Sequence, residues 1–218
     1  MTASGDLQGR RRAELVTGLR RFLPAEAPVR SGAAAVASQE AQCELCPISI
    51  PDDHKHLLHL TERRIVCVCG TCWALRSGDA EFRPAGNRTV WLEDFALTDE
   101  QWAAFGLPIG LAFLMISSVS GGVVALYPSP AGATESELDL EAWADVCAAN
   151  PRLELEPDGE ALIVNRLADP PQHVIAPIDK AYGLVGVVKS SWEGISGGSA
   201  VAANVTAYLD GLRGGAVR

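Results

Sequence analysis

Cys43-Glu44-Leu45-Cys46 and Cys67-Val68-Cys69-Gly70-Thr71-Cys72 together hold five of the chain's six cysteines. Two thiols with two residues between them can turn both sulfurs onto one ion, and a second pair about twenty residues further on completes a tetrahedral set of four. Cys43, Cys46, Cys69 and Cys72 form the set with two identical gaps, and zinc is the metal it suits first. Iron, in a rubredoxin-type one-electron centre, is the alternative occupant of the same thiolates. The glycine that commonly follows each pair in such knuckles is replaced by Pro47 and Trp73. Cys67 is left over, as a packed strand thiol or a spare ligand. His54, His56 and His59 lie between the pairs and read as surface or strand residues, because four thiolates already complete the ion's shell.

The residues inside the cysteine frame specify how its ends meet. Leu57-Leu58-His59-Leu60-Thr61 and Ile65-Val66-Cys67-Val68 are apolar, strand-forming runs, and Glu62-Arg63-Arg64 between them predicts a hairpin. Cys43 and Cys46 then fall in a tight turn before the first strand. Cys69 and Cys72 fall in the first turn of a short helix running to Arg76, where free amides and the positive dipole end stabilise thiolate. Turn, hairpin and helix in that order predict a treble-clef or ribbon-like four-cysteine module over residues 41–80.

On the N-terminal side, residues 1–40 read as a basic helix and a flexible tether. Asp6 caps a helix over 7–23 that carries Arg10, Arg11, Arg12, Arg20 and Arg21, Pro24 ends it, and an Ala/Ser-rich segment follows. The arginines form a solvated face or a local anion-binding face.

Residues 81–218 read as an α+β body with an antiparallel or mixed sheet. Strands are expected at 88–92, 111–116, 123–127, 161–164 and 173–178. Thr98-Asp99-Glu100-Gln101 is a capping box opening a helix to Phe105. Further helices are expected over 138–149, with Leu140, Trp143, Ala144 and Cys147 on a shared face, over 179–190, and over 200–212. The span 106–127 is apolar enough to suggest a membrane segment, but Pro108 and the Ser120-Gly121-Gly122 turn split it into a buried hairpin. Residues 128–135 are expected to form a long irregular loop, either a binding loop or a lead-in to the next helix.

The chain has 218 residues, 48% of them hydrophobic, enough for a sizeable core. A net charge of −9 argues against nucleic acid or an anionic membrane as the main partner. The first residues lack the basic-then-apolar order of a secretory signal, and paired cysteine spacing in a reducing compartment favours metal over disulfide, so a cytoplasmic protein is expected. No catalytic constellation stands out. Gly194-Ile195-Ser196-Gly197-Gly198-Ser199 lacks the lysine of a phosphate loop and reads as a plain turn. Cys147 reads as a core thiol, and His173 as structural or exposed.

The series Cys-x-x-Cys, Pro51-Asp52-Asp53-His54-Lys55-His56-Leu57-Leu58, Cys-x-Cys-x-x-Cys, Trp91-Leu92-Glu93-Asp94-Phe95, the run from Ala125 to Ser136, Ala149-Asn150-Pro151 and Gly194-Ile195-Ser196-Gly197-Gly198 resembles the bacterial domain-of-unknown-function family 5947. The resemblance covers about residues 38–213, and the run at 127–136 is its most specific part. Members are typically encoded beside the large- and small-subunit genes of nickel-iron hydrogenases. The resemblance therefore implies an accessory or assembly protein whose partners are hydrogenase subunits or maturation proteins. It brings no catalytic residues with it. The first expectation is a non-catalytic zinc-binding protein of this kind, the alternatives an iron electron-transfer protein and an enzyme using the 128–135 loop.

Overall fold

A computed structural model describes residues 41–136, 138–192 and 198–213, which lie within one compact unit. The basic helix, the tether and Gly194–Gly197 fall outside the described residues. The cysteine frame folds as a three-stranded antiparallel sheet in the order β2-β1-β3, made of β1 (Lys55–His59), β2 (Arg64–Val68) and β3 (Phe82–Pro84). Helix α1 (Gly70–Arg76) follows β2 directly. Arg63 takes the tight β1–β2 turn at φ 48°.

The body is a six-stranded, wholly antiparallel sheet in the order β4-β9-β8-β5-β6-β7. Its strands are β4 (Val90–Trp91), β5 (Leu111–Ser117), β6 (Gly122–Ser129), β7 (Gly132–Ser136), β8 (Glu160–Asn165) and β9 (Gln172–Pro177). Helices α2 (Asp99–Ala104) and α3 (Leu140–Ala149) contribute to one face, while α4 (Ile178–Ser191) and α5 (Gly198–Leu212) cover the other.

Strand alternation divides the core. Leu111, Phe113, Met115, Ala161 and Ile163 pack toward α4 and α5, whereas Leu114, Leu162 and Val164 pack with Phe105, Ala142 and Val146. Both faces of the sheet are covered, so the central strands are apolar throughout instead of alternating with polar residues. The span 106–127 is the expected buried hairpin, and among the described residues no helix is long and apolar enough to cross a membrane. The capping box at Thr98 is present, with Thr98 Oγ1 accepting the Gln101 amide and Gln101 Oε1 accepting the Thr98 amide.

Three expectations need correction. Residues 128–135 are not an irregular loop: β6 and β7 pair from Ala125 opposite Ser136 to Ser129 opposite Gly132, closing a tight hairpin with Gly132 at φ 131°. The buried side of α3 is Ala142 and Val146, with Trp143 packed beside them, while Leu140 is 64% exposed. Asp139 Oδ1 caps this helix by accepting the amides of Glu141 and Ala142, and the apolar stripe runs at four-residue spacing through Leu138, Ala142 and Val146. Finally, the strand of the 88–92 run is confined to Val90 and Trp91 opposite β9, with the Leu92 amide adding one bond to the His173 carbonyl at 3.0 Å, while the Arg88 side chain binds Glu160.

The small sheet leans on the body. Leu58 and Leu60 join the core under α4, while Leu57, Val66 and Val68 face the cysteine knuckle. Tyr182 Oη, on α4, donates to the Arg63 carbonyl, and the Arg63 guanidinium pairs with Glu135 of β7.

Candidate metal centre

Cys43 and Cys46 sit in a turn closed by the Cys43 amide on the Ile48 carbonyl (2.9 Å) and the Ile48 amide on the Cys46 carbonyl (2.9 Å). Across the sheet, Cys69 is the N-cap of α1 and its sulfur accepts the Cys72 amide at 3.4 Å. The β1–β2 hairpin carries these two ends to the same place. The sulfurs of Cys43, Cys46, Cys69 and Cys72 lie within 4.8 Å of one another, and Cys46 and Cys69, from opposite ends, are 3.8 Å apart. Four sulfurs each about 2.3 Å from a central ion stand about 3.8 Å apart, so the donor set fits a tetrahedral metal.

The electrostatics of the bare thiols favour a cation. Burial raises the Cys43 thiol, but the amides of Cys69 and Leu45 outweigh it and bring its pKa down to about 6. The Cys46 sulfur and then burial push Cys72 up to about 12. The Cys43 thiolate forms readily, while Cys46 and Cys72 resist following it. A divalent ion among them removes that conflict. Val66, Val68, Ile50 and Phe82 form the apolar floor of this module, with Trp73 packed against it.

None of the three histidines joins the four thiols. His59 closes the end of β1, edge-on to Phe82 at 5.1 Å. His54 and His56 gather with Cys67, whose thiol is pushed up by burial and then by the charges of Glu44 and Asp179. Asp179, at the start of α4, pairs with His56 and is a residue that sequence reading passed over. The only sequence hint was the two-residue spacing of the histidines, which places two side chains on one side of extended backbone.

His173 and Cys147, also singled out in the sequence, belong to neither cluster of metal-ligating side chains. His173 packs on Phe95 at 4.8 Å, and burial followed by the Arg166 charge lowers its pKa. Burial raises the Cys147 thiol. Residues 128–135 line neither of two cavities, of about 570 and 520 Å³, that open among the described residues.

A four-cysteine cluster on a knuckle, a hairpin and a helix, seated against an antiparallel sheet, defines an α+β protein whose small module brings four thiols to metal-ligating distance. Residues 42–216 match the model of the family of unknown function 5947, and the chain belongs to that family. No curated protein and no solved structure matches it.

Proposed function

We propose that this chain is a zinc-stapled accessory protein, acting through the surfaces its module holds in place and not through a reaction at the four thiolates. The supporting observation is the convergence of four sulfurs at tetrahedral spacing, which completes an ion's shell and leaves no position for a substrate. The module also presents apolar side chains to solvent. Leu45 and Ile48 on the knuckle are exposed, and Leu75 on α1 is 72% exposed. Such groups suit contact with a partner protein. By the resemblance read from its motifs, that partner is a nickel-iron hydrogenase subunit or maturation protein. The paired cysteine spacing suits metal ligation in a reducing, cytoplasmic setting.

Elemental analysis with a visible spectrum tests the metal: colourless zinc supports the reading, and a red sample bleached by reductant replaces it with the iron electron-transfer alternative. Chelation is expected to remove hydrogen-exchange protection from β1, β2 and β3 while β5 and β8 stay protected. Co-purification under native expression tests the partner, and a clean failure to recover hydrogenase subunits removes that association.

A further inference from the structure

The small sheet has two faces, and the four thiolates use one. On the other, one ring nitrogen of His54, one of His56 and the Cys67 sulfur lie within 4.8 Å of one another. His56 and Cys67 stand directly opposite across the β1–β2 ladder, and the His54 ring meets His56 edge-on at 4.6 Å.

Both imidazoles are oriented from behind. His54 Nδ1 lies 2.8 Å from the Pro51 carbonyl oxygen, which can only accept, so Nδ1 carries the proton and Nε2 the lone pair. That Nε2 is buried and has no hydrogen-bond partner. His56 Nδ1 lies 3.0 Å from Asp179 Oδ2, with the two side chains 23% and 10% exposed, and the carboxylate fixes the same tautomer. A carbonyl or carboxylate behind each imidazole is the usual support of a metal-ligating histidine. A buried lone pair left empty is destabilising, and an ion bound there removes that cost.

The two imidazoles also open onto space. His54, His56 and Asp179 stand in the wall of a cavity of about 570 Å³ between the small sheet and the body. Three protein ligands, two of them in the wall of this space and Cys67 behind them, leave a fourth coordination position for water or a small donor molecule, the feature that separates reactive from structural zinc sites.

We infer that His54, His56 and Cys67, with Asp179 as positioning residue, form a second metal site that takes a borderline-soft divalent ion such as Zn²⁺ and keeps one position open to the cavity. Two nitrogens and one thiolate suit that class of ion. The inference holds whichever metal fills the four thiolates.

The full chain, stripped and titrated with Co²⁺ and separately reloaded with Zn²⁺, tests it. Two equivalents are expected, the first with a four-thiolate cobalt spectrum and the second with a weaker sulfur-to-metal band. The His54→Ala/His56→Ala chain is expected to keep the first and lose the second. Asp179→Asn is expected to keep both and to bind the second about 10–100-fold more weakly. A wild-type chain that takes only the four-thiolate equivalent overturns the second site, as does a double variant that still takes two. If the double variant fails to fold, Asp179→Asn decides: an unchanged second affinity overturns the site. Absence of the four-thiolate spectrum counts against the first centre alone.

Discussion

Glu44 and Cys67 hold each other twice: the Glu44 amide donates to the Cys67 carbonyl at 2.9 Å, and the Cys67 amide donates to Glu44 Oε1 at 2.7 Å. Glu44 Oε2 also accepts from Arg64 at 2.7 Å. The first of the two residues between Cys43 and Cys46 is thereby clamped to β2, which positions the knuckle against the helix-borne pair. Hydrogen bonds to charged groups are among the stronger ones, but Glu44 is 39% exposed, so the clamp contributes about 1 kcal/mol. Glu44→Ala is expected to release metal to a chromophoric chelator about fivefold faster, and Glu44→Gln, which keeps an acceptor, less than that. Equal rates for all three chains would mean that the metal alone fixes the knuckle.

Arg88 supports a carboxylate that would otherwise be stranded. Glu160 is 1% exposed, and its two oxygens accept from Arg88 Nε at 2.5 Å and Nη2 at 2.8 Å. Glu160 Oε2 also accepts the Glu156 amide at 3.0 Å. Removing one partner of a fully buried pair costs about 3–5 kcal/mol, and the partial exposure of Arg88 lowers the expectation to about 2–3 kcal/mol for Arg88→Ala. Urea unfolding measures it. Arg88→Ala/Glu160→Gln is expected to recover part of the loss, because the charge has gone with its partner.

Much of the fold was legible because its cause is local. Buried strands covered on both faces are continuous apolar runs, as at 111–116, and helix starts carry their own caps, as at Thr98. The four thiols were legible because metal geometry restricts spacing. What stayed hidden depends on pairings distant in sequence: Asp179 with His56, Glu135 with Arg63, and Tyr182 with the Arg63 carbonyl. The 128–135 hairpin was hidden by its own composition. Pro128 suggests loop, yet the β5 ladder on β6 runs only from Gly122 to Leu126, so the missing amide of Pro128 breaks no bond to β5.

Tyr182 makes the joint between body and module sensitive to alkali. Burial, more than the opposing charge of Arg63, pushes its hydroxyl up to about 12, against about 10 in an unfolded chain. The unfolded state therefore loses its proton first. Stability is unaffected below about pH 10 and falls as pH rises from there toward 12, by about 2–3 kcal/mol at the upper end. Tyr182→Phe is expected to be about 1 kcal/mol less stable at pH 7, having lost its bond to Arg63, and to decline less steeply above pH 10. Urea midpoints at pH 8 and pH 11 separate the two effects, and parallel declines in wild type and variant would count against a protected hydroxyl.

Gly183 of α4 lies under the Tyr208 side chain of α5. A methyl group at this position would lie 2.2 Å from Tyr208 Oη and 3.1 Å from its ring carbon Cζ, and that hydroxyl is held in place by donating to the Lys180 carbonyl at 2.9 Å. An exposed helical glycine replaced by alanine gains up to about 1 kcal/mol from propensity, but overpacking of this severity costs about 1–3 kcal/mol. Gly183→Ala is therefore expected to destabilise. Tyr208→Phe removes the nearest atom, so Gly183→Ala/Tyr208→Phe should be more stable than the sum of the two single effects predicts. The displacement should also reach the metal module, because α4 carries Tyr182, whose hydroxyl holds the β1–β2 turn. Gly183→Ala is expected to raise amide exchange in β1 and β2 as well as in α4 and α5. Additive single-variant energies, or exchange confined to the two helices, would show that the contact is local and leaves the module undisturbed.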